Sequence, residues 1–382
     1  MESSIDADPD ELALHFRKKY PHLPAPAIAT QVKLRQKAQK KLPSFDAAGC
    51  LLHPVAFEQA TAEALWPHKP YGEGALAIDI GFGCAADTLA LAHRYERVIA
   101  IEKSEVLLEL ARFNFERLGV TNVRLVQADA QEWLQSNRDL CPDLVYIDPA
   151  RRDANNAKLV ALDALSPNVL ELASTFAKRQ TRVLIKLSPL FQPTELPRQL
   201  SGVQRVSVIS QRGEVKEVLG DWRPGSHEQV VDYEAIAVGA DAASRLVGAY
   251  QEPKLTDAVQ LGAGQLLYQA DPAVQLAGQL AHPTFQSVQW VNRLGLGLVS
   301  EINNGWPGRW FRVQAVWPFS PRQLKRELKS LGISRAECLP IGFPGTGQQL
   351  AKKLGLKLGG EARLLFIELP DGVKQVVLAE QF

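Results

Sequence analysis

The residues best suited to chemistry lie in Leu76-Ala-Ile-Asp79-Ile-Gly81-Phe-Gly83-Cys-Ala85-Ala86-Asp87. A short apolar run ends in an acid, two glycines follow, and a helix-like run, Asp87-Thr-Leu-Ala-Leu-Ala92, comes next. Glycine has no side chain to hold a ligand away from the backbone. A helix N-terminus adds free N–H groups and the positive end of a dipole. Such a junction suits a nucleotide-type cofactor. Gly81-x-Gly83-x-x-Ala86 satisfies the dinucleotide fingerprint G-x-G-x-x-G/A, and about twenty residues on Val98-Ile-Ala-Ile101 ends at Glu102, an acid able to hold ribose hydroxyls.

Two cofactor chemistries fit those glycines, and Asp79 separates them. An acid two residues before the first glycine points into the loop where a pyrophosphate would sit. It repels phosphate and attracts the ammonium of S-adenosylmethionine (SAM). The plainer role for this acid is to cap the turn or the helix.

Further along, other strand-like runs also end in polar residues. Asn122-Val-Arg-Leu-Val126 is followed by Asp129-Ala130, Asp143-Leu-Val-Tyr-Ile147 by Asp148-Pro149-Ala150-Arg151, and Val183-Leu-Ile leads into Lys186-Leu-Ser-Pro189. With Asp79-Ile-Gly81-Phe-Gly83 and Glu102, this order resembles the class I SAM-dependent methyltransferases. The resemblance implies SAM as cofactor. It implies Asp79, Gly81 and Gly83 at the methionine end, Glu102 at the ribose, and Asp129 with Ala130 beside the adenine. Asp148-Pro149-Ala150-Arg151 resembles the Asp-Pro-Pro-Tyr-like motif beside the transferred methyl group, which makes Asp148 and Pro149 expected catalytic residues facing the acceptor; Arg151 and Lys186, also expected to be catalytic, would with Arg152 hold phosphate or stabilise negative charge. In this chain Ala150 replaces the second proline and Arg151 the aromatic residue. A guanidinium plane stacks on bases and binds phosphate but does not replace an aromatic ring. Lys186 also reads as a strand-end residue paired with an acid. If the acceptor is an exocyclic amine, an Asp148 oxygen or the Pro149-side carbonyl can accept its N–H.

Positioning these residues takes an alternation of strands and helices. Residues 75–240 alternate apolar strands with amphipathic helices, which predicts a doubly wound, mainly parallel sheet of Rossmann-like α/β class. Ser104 caps a helix that Gly119 ends. Val203–Ser210 and Lys216–Leu219 read as an antiparallel pair, with Glu214 and Lys216 on one face, either lining a cleft or forming a surface charge set. Residues 1–74 read as a helical N-terminal region. One helix runs over Ile28–Leu42 and stops at Pro43, and a second spans Ala56–Trp66, from which Gln59 and Thr61 could reach the cofactor.

Residues 241–305 depart from this alternation and read as a linker region. Here Tyr268–Gly278 is expected to be helical, with Asp271 at its N-cap and Pro272 at its first position. Residues 306–382 read as a small α+β domain. It is expected to hold a strand at Trp310–Val316, helices at Ser320–Leu331 and Gln348–Leu354, and a hairpin around Pro370-Asp371-Gly372. Taken whole, the chain resembles a narrower bacterial family: class I methyltransferases with a ferredoxin-like segment and a C-terminal THUMP-like domain. The residues that carry this likeness are Lys37-Ala-Gln-Lys-Lys-Leu-Pro43, Glu58-Gln59, Asp148–Arg152, Lys186–Pro189, Gly213–Glu217, Leu267–Pro272 and Ile341-Gly-Phe-Pro344. THUMP domains are RNA-binding modules of tRNA-modifying enzymes, so the likeness implies an RNA substrate.

Charge adds to that expectation. The net charge is +1, yet residues 17–41 hold eight Lys/Arg and no acid, and residues 306–382 hold twelve Lys/Arg against six Asp/Glu. Positive charge gathered at both ends suits a polyanion such as RNA, although charge runs also serve simply as solvated faces. The composition, 46 % hydrophobic and 22 % charged, is that of a globular protein of two or three domains. No run of eighteen apolar residues argues for a membrane span, and the acidic N-terminus has no apolar export region. The four cysteines are scattered without a C-x-x-C pair, which argues against zinc sites and disulfides and leads us to expect a reducing cytoplasm. Two other functions stay open on the sequence: a non-catalytic RNA-binding protein that keeps a SAM fold, and an NAD-dependent oxidoreductase.

Overall fold

A computed structural model of the protein describes residues 8–20, 22, 24–151, 162–177, 181–223, 230–256 and 259–382. They fall into two compact units. The first is built from residues 1–191, 195–204 and 219–229, and the second from 192–194, 205–218 and 230–382.

The first unit opens with α1 (Pro9–Lys19), α2 (Ala25–Lys41), α3 (Pro43–Ala47) and α4 (Pro54–Gln59). The α/β alternation follows: β1 (Gly74–Ile80), α5 (Ala86–Ala92), β2 (Tyr95–Glu102), α6 (Glu105–Leu118), β3 (Val123–Gln127), α7 (Ala130–Ser136) and β4 (Leu144–Ile147). After it come the short pair β5 (Ala150–Arg151) and β6 (Leu165–Ser166), then α8 (Val169–Ala177), β7 (Arg182–Leu187) and α9 (Glu195–Gln199). Five parallel strands lie in the order β7-β4-β1-β2-β3. Their runs are apolar because a parallel sheet is covered on both faces. The chain moves outward from β1 through β2 to β3, then returns to the other side of β1 at β4. The crevice between the carboxyl ends of β1 and β4 is therefore the topological switch point at which ligands bind in such sheets. The register pairs Asp79 with Tyr146 and Ile80 with Ile147, so the glycine loop and Asp148 leave the sheet side by side.

The N-terminal helices cover this end. On α2, Ala25, Ala29, Val32, Leu34 and Ala38 are buried, and Leu34 and Ala38 join Phe45, Phe57, Phe82, Leu89 and Phe115 in one core cluster. Each large apolar side chain so buried stabilises by about 1.5–3 kcal/mol. As the sequence indicates, α2 ends at the residues before Pro43, and α6 is capped by Ser104, whose hydroxyl accepts from Leu107 N. Gly119, at φ +68°, closes α6.

The expected helix over Ala56–Trp66 is not continuous. α4 stops at Gln59, Ala60 turns extended (ψ 144°), and a separate 3-10 turn spans Glu63–His68 with Pro67 inside it. Lysine side chains meet the carbonyls at this break. Lys41 Nζ donates to the carbonyls of Phe57 (2.7 Å) and Glu58 (2.8 Å), and Lys186 Nζ donates to that of Gln59 (3.2 Å). These are carbonyls that a continuing helix would need for its own ladder.

Strands β8 (Val203–Gln211) and β9 (Glu214–Trp222) form the expected hairpin, whose residues are divided between the two units. Its two-residue turn, Arg212-Gly213, has φ of +54° and +73°, as a primed hairpin turn requires.

In the second unit β10 (Asp232–Val238) runs parallel to β8 and antiparallel to β11 (Ala243–Gly248). A separate sheet has the order β13-β14-β12-β15-β18-β17-β16, from β12 (Leu266–Ala270), β13 (Gln289–Trp290), β14 (Leu296–Val299), β15 (Gly308–Pro318), β16 (Arg335–Ile341), β17 (Lys357–Glu368) and β18 (Lys374–Gln381). Tyr268-Gln-Ala270 is strand rather than helix. Only α10 (Pro272–Leu276) follows it, with the Asp271 carboxylate accepting from Ala273 N. The strand places Tyr268 among Phe285, Trp290, Trp306 and Trp310, an aromatic burial that outweighs helix propensity. On one face of the sheet lie α11 (Pro321–Ser330) and α12 (Gly347–Leu354), packed through Leu324, Leu328, Leu350 and Leu354 onto Leu364, Phe366 and Val376.

Candidate active site at the carboxyl ends of β1 and β4

The loop after β1 makes three successive departures from ordinary backbone: Gly81 at φ +76°, Gly83 at +54° and Ala85 at +61°. Glycine at the first has a second reason, since a Cβ there would sit 3.1 Å from the Asp148 carbonyl oxygen. A Cβ on Gly83 would meet nothing within 4 Å, so this glycine faces open space. The bend brings α5 down with Ala85 at its N-cap position and without a side-chain cap.

Asp79 is fully buried beneath this loop. Its Oδ2 accepts from the Thr88 hydroxyl at 2.6 Å, and its Oδ1 has no hydrogen-bond partner among the described residues. Burial, opposed by the Thr88 bond and assisted by the nearby charges of Asp87 and Asp148, pushes this carboxyl up to about 8. The turn-capping role open to Asp79 in the sequence is not what the carboxylate does. It accepts from a side chain in the first turn of α5 and leaves one oxygen idle.

Asp148 follows β4. Lys186 Nζ, from β7, donates to its Oδ2 at 2.7 Å, with 35 % of the Asp148 side chain exposed and 11 % of Lys186. Burial raises the Asp148 carboxyl above its ordinary range. Lys186 pulls against this and Asp87 adds to it. The structure thus joins Asp79, Gly81, Asp148 and Lys186 at one corner. Pro149 continues from Asp148. Only the backbone of Arg151 is described, in β5 against Leu165, and Arg152 lies outside the described residues.

The other expected cofactor residues lie on the β2–β3 side. Glu102 Oε1 accepts from the backbone amides of Lys103 (2.8 Å) and Ser104 (3.0 Å), and its Oε2 accepts from Gly83 N at 3.3 Å. It therefore braces the glycine loop, with Oε2 the less committed oxygen. Asp129 is the N-cap of α7. Its Oδ1 accepts from Gln131 N and Glu132 N, and its Oδ2 pairs with Lys103 at 2.5 Å. Those bonds hold its carboxyl below the usual range. Ala130 is the buried first residue of that helix.

Sequence reasoning missed a group of residues beside this corner. Asp87, on the first turn of α5, takes Lys69 Nζ (2.7 Å) and the Tyr71 hydroxyl on Oδ1, and the Thr61 hydroxyl (3.0 Å) on Oδ2. Lys186 Nζ stands 3.6 Å from the same Oδ2. Lys69, whose side chain is 0 % exposed, also donates to Tyr146 OH at 2.8 Å. Burial opposes the charge of Asp87, but the two lysines hold its carboxyl well below the usual range. Thr61 is therefore spent on Asp87, and Gln59 contributes its carbonyl to Lys186. One signal was present: a tyrosine inside the fully buried strand Leu144-Val-Tyr146-Ile147 must find a partner for its hydroxyl. Nothing in Pro67-His-Lys69-Pro70 announces a buried lysine.

Glu214 and Lys216 form an exposed pair at 2.5 Å along β9. All four cysteines are free thiols, and burial pushes Cys84 up to about 12, far from the thiolate a nucleophile requires. Among the described residues no cluster of His, Cys, Asp and Glu could hold a metal. Also among them, no helix is long and apolar enough to cross a membrane.

Comparison with known proteins assigns these parts. Residues 72–219 match the family model described as a methyltransferase domain, and residues 308–381 match that described as THUMP domain-like. The chain carries a methyltransferase domain and a THUMP-like domain. A crystal structure of a candidate methyltransferase from Porphyromonas gingivalis W83 superposes with a TM-score of 0.80 at 23 % identity, over 100 % of this chain and 96 % of that one, which shows a shared fold. An uncharacterized RNA methyltransferase of Enterococcus faecalis is 28 % identical over 152 residues, 37 % of this chain and 33 % of the relative. A candidate cobalt-precorrin-6B C(15)-methyltransferase (decarboxylating) of Methanothermobacter thermautotrophicus is 30 % identical over 97 residues, 25 % of this chain and 50 % of the relative. The chain therefore spans between a third and a half of the length of these two relatives. Asp79, Glu102, Asp129, Asp148 and Lys186 all fall inside the methyltransferase domain.

Proposed function

We propose that this chain transfers a methyl group from SAM to RNA. The observation that carries the reading is the idle, buried oxygen of Asp79 at the end of the strand that leads into a glycine loop, where a Cβ on Gly83 would meet nothing within 4 Å. A buried carboxyl without a partner is costly, and a cation placed against it removes the cost. Asp79, Asp87 and Asp148 crowd this corner against Lys69 and Lys186. Such a balance favours a ligand with a positive amino-acid end over a dinucleotide pyrophosphate, and so favours SAM over NAD.

In this reading Asp79 takes the ammonium group, and Gly81 and Gly83 let the methionine end approach the backbone. Glu102 offers Oε2 to the ribose hydroxyls. Asp129 and Ala130 border the adenine, Asp129 by fixing the start of α7 rather than through a free carboxylate. Bound SAM supplies a sulfonium whose methyl carbon is open to attack by a nucleophile. Asp148 and the Pro149 backbone face the acceptor, and Asp148 receives a hydrogen bond from its N–H and turns its lone pair toward the methyl group. Lys186 fixes the Asp148 carboxylate, and Arg151 contributes charge for a phosphate.

Three observations support RNA as the acceptor: the THUMP-like domain, the RNA methyltransferase relative, and the surface charge. Lys33, Lys37 and Lys40 are exposed on α2 at a spacing that puts them on one face, whereas Arg35 is bound to Asp46 and Lys41 to the α4 carbonyls. Arg322, Lys325, Arg326 and Lys329 make a second exposed stripe on α11. Incubation with methyl-labelled SAM and total RNA from cells lacking the protein tests the reading. Label fixed in one RNA supports it, and label absent from every RNA fraction contradicts it.

A further inference from the structure

Resting on that reading, we propose that Asp87, held by Lys69, is a positioning residue that shares the Lys186 ammonium with Asp148 and so leaves an Asp148 oxygen able to accept a hydrogen bond from the methyl acceptor. The Lys186 ammonium donates to Asp148 Oδ2 after β4 (2.7 Å) and to the Gln59 carbonyl at the end of α4 (3.2 Å), and it forms a longer ion pair with Asp87 Oδ2 on α5 (3.6 Å). A lysine given to Asp148 alone would neutralise it and lower its affinity for a donor. A second carboxylate on the far side of the ammonium draws charge away from that pair.

Asp87 can do this only while ionised in a dry interior, and its surroundings serve that end. Lys69, fully buried, meets Oδ1 at 2.7 Å, Tyr71 donates to the same oxygen, and Thr61 donates to Oδ2. Lys69 is itself satisfied by Tyr146 and Thr61 and lies over the Tyr71 and Tyr146 rings, 5.2 and 5.0 Å from their centroids. The result is an alternating row, Lys69, Asp87, Lys186, Asp148, running from the interior to the exposed corner. A buried ion pair of this kind adds little stability over well-packed apolar side chains, so stability alone does not account for Lys69 and Asp87. The charged groups that face Asp148 are Lys186 from β7, Asp87 from α5 and Lys69 from the segment before β1. Asp79, from β1, belongs to the same corner.

The test is a carbon NMR titration of the full chain labelled at aspartate Cγ, with the Asp148 resonance assigned by its loss in Asp148→Asn. In Asp87→Asn the Asp148 midpoint should fall by about one pH unit, because a like charge is removed and Lys186 turns wholly to Asp148. The acid limb of RNA methylation should move the same way, and kcat should drop about tenfold as the weaker acceptor holds its donor less well. Asp87→Asn leaves Lys69 without its carboxylate, so Asp87→Asn/Lys69→Met, which removes both charges together, provides a second folded variant with the same expected direction. A midpoint that stays or rises in either variant overturns the inference, as does a midpoint that falls while kcat is unchanged. A wild-type chain that methylates no RNA would overturn the proposed function, while the titration still decides whether Asp87 shares Lys186.

Discussion

Replacing Asp79 by asparagine should stabilise the ligand-free chain at alkaline pH while destroying its hold on SAM. In the unfolded chain this carboxyl ionises near 3.8, and in the folded chain burial lifts it to about 8. Between those values only the unfolded state has released its proton. The native state is therefore favoured most below 3.8 and loses stability as the pH rises, until Asp79 ionises in the folded chain as well. Holding a carboxyl from 3.8 up to about 8 corresponds to a cost of about 6 kcal/mol at alkaline pH, at about 1.4 kcal/mol per pH unit. At about pH 5 the cost on the same scale is under about 2 kcal/mol. Asparagine is neutral in both states. Its oxygen can accept the Thr88 hydroxyl, and its amide group replaces the oxygen that has no partner. The unsatisfied amide costs about 1–3 kcal/mol, nearly independent of pH. The difference between the two pH values removes that constant, so Asp79→Asn should gain about 4 kcal/mol relative to wild type on going from about pH 5 to about pH 9. Urea unfolding of both proteins without ligand, at a series of pH values, measures this directly. A stability difference that stays flat across the range would refute the burial account of Asp79.

Asp148→Ala should abolish methyl transfer while SAM affinity stays within a few-fold, read by calorimetry beside a labelled-methyl assay. Equal activity would move the acceptor elsewhere. Gly81→Ala should destabilise the chain by about 1–2 kcal/mol in thermal unfolding, since it forces a Cβ against the Asp148 carbonyl at a φ of +76°. Lys33→Glu/Lys37→Glu/Lys40→Glu should weaken RNA binding and flatten its salt dependence, by about one counter-ion for each phosphate that is no longer neutralised. Lys41 is left intact in that variant because it holds the carbonyls that end α4, and an unchanged salt slope would separate the α2 stripe from RNA.

Much of the candidate site was legible because its parts are local in sequence. Asp79, Gly81 and Gly83 lie within one turn of backbone, and each apolar strand announces its own carboxyl end, so the strand ends at Glu102, Asp148 and Lys186 were legible from patterning, while the roles expected of Asp129, Asp148 and Lys186 came from the resemblance to class I methyltransferases. The residues that escaped notice become meaningful only when distant segments meet. Lys69 is separated from Tyr146 by 77 positions and from Asp87 by 18, and no period or spacing joins them. Ala56–Trp66 reads as one helix because propensity is local, whereas the carbonyls at the end of α4 are met by Lys41 and by Lys186, which comes from a distant strand. Tyr268 begins a plausible helix by sequence but is drawn into a strand by four aromatic partners from positions 285 to 310. Asp129 shows the converse case. Its position was apparent, but the capping bonds and Lys103 that occupy its carboxylate were not.

Calorimetric titration of the full chain with SAM, with NAD and Asp79→Asn as the two comparisons, tests the central claim most directly. The account predicts saturable binding of one SAM per chain, lost or greatly weakened in Asp79→Asn, and no binding of NAD. A folded wild-type chain that gives no heat with SAM, or that binds NAD in its place, would contradict it.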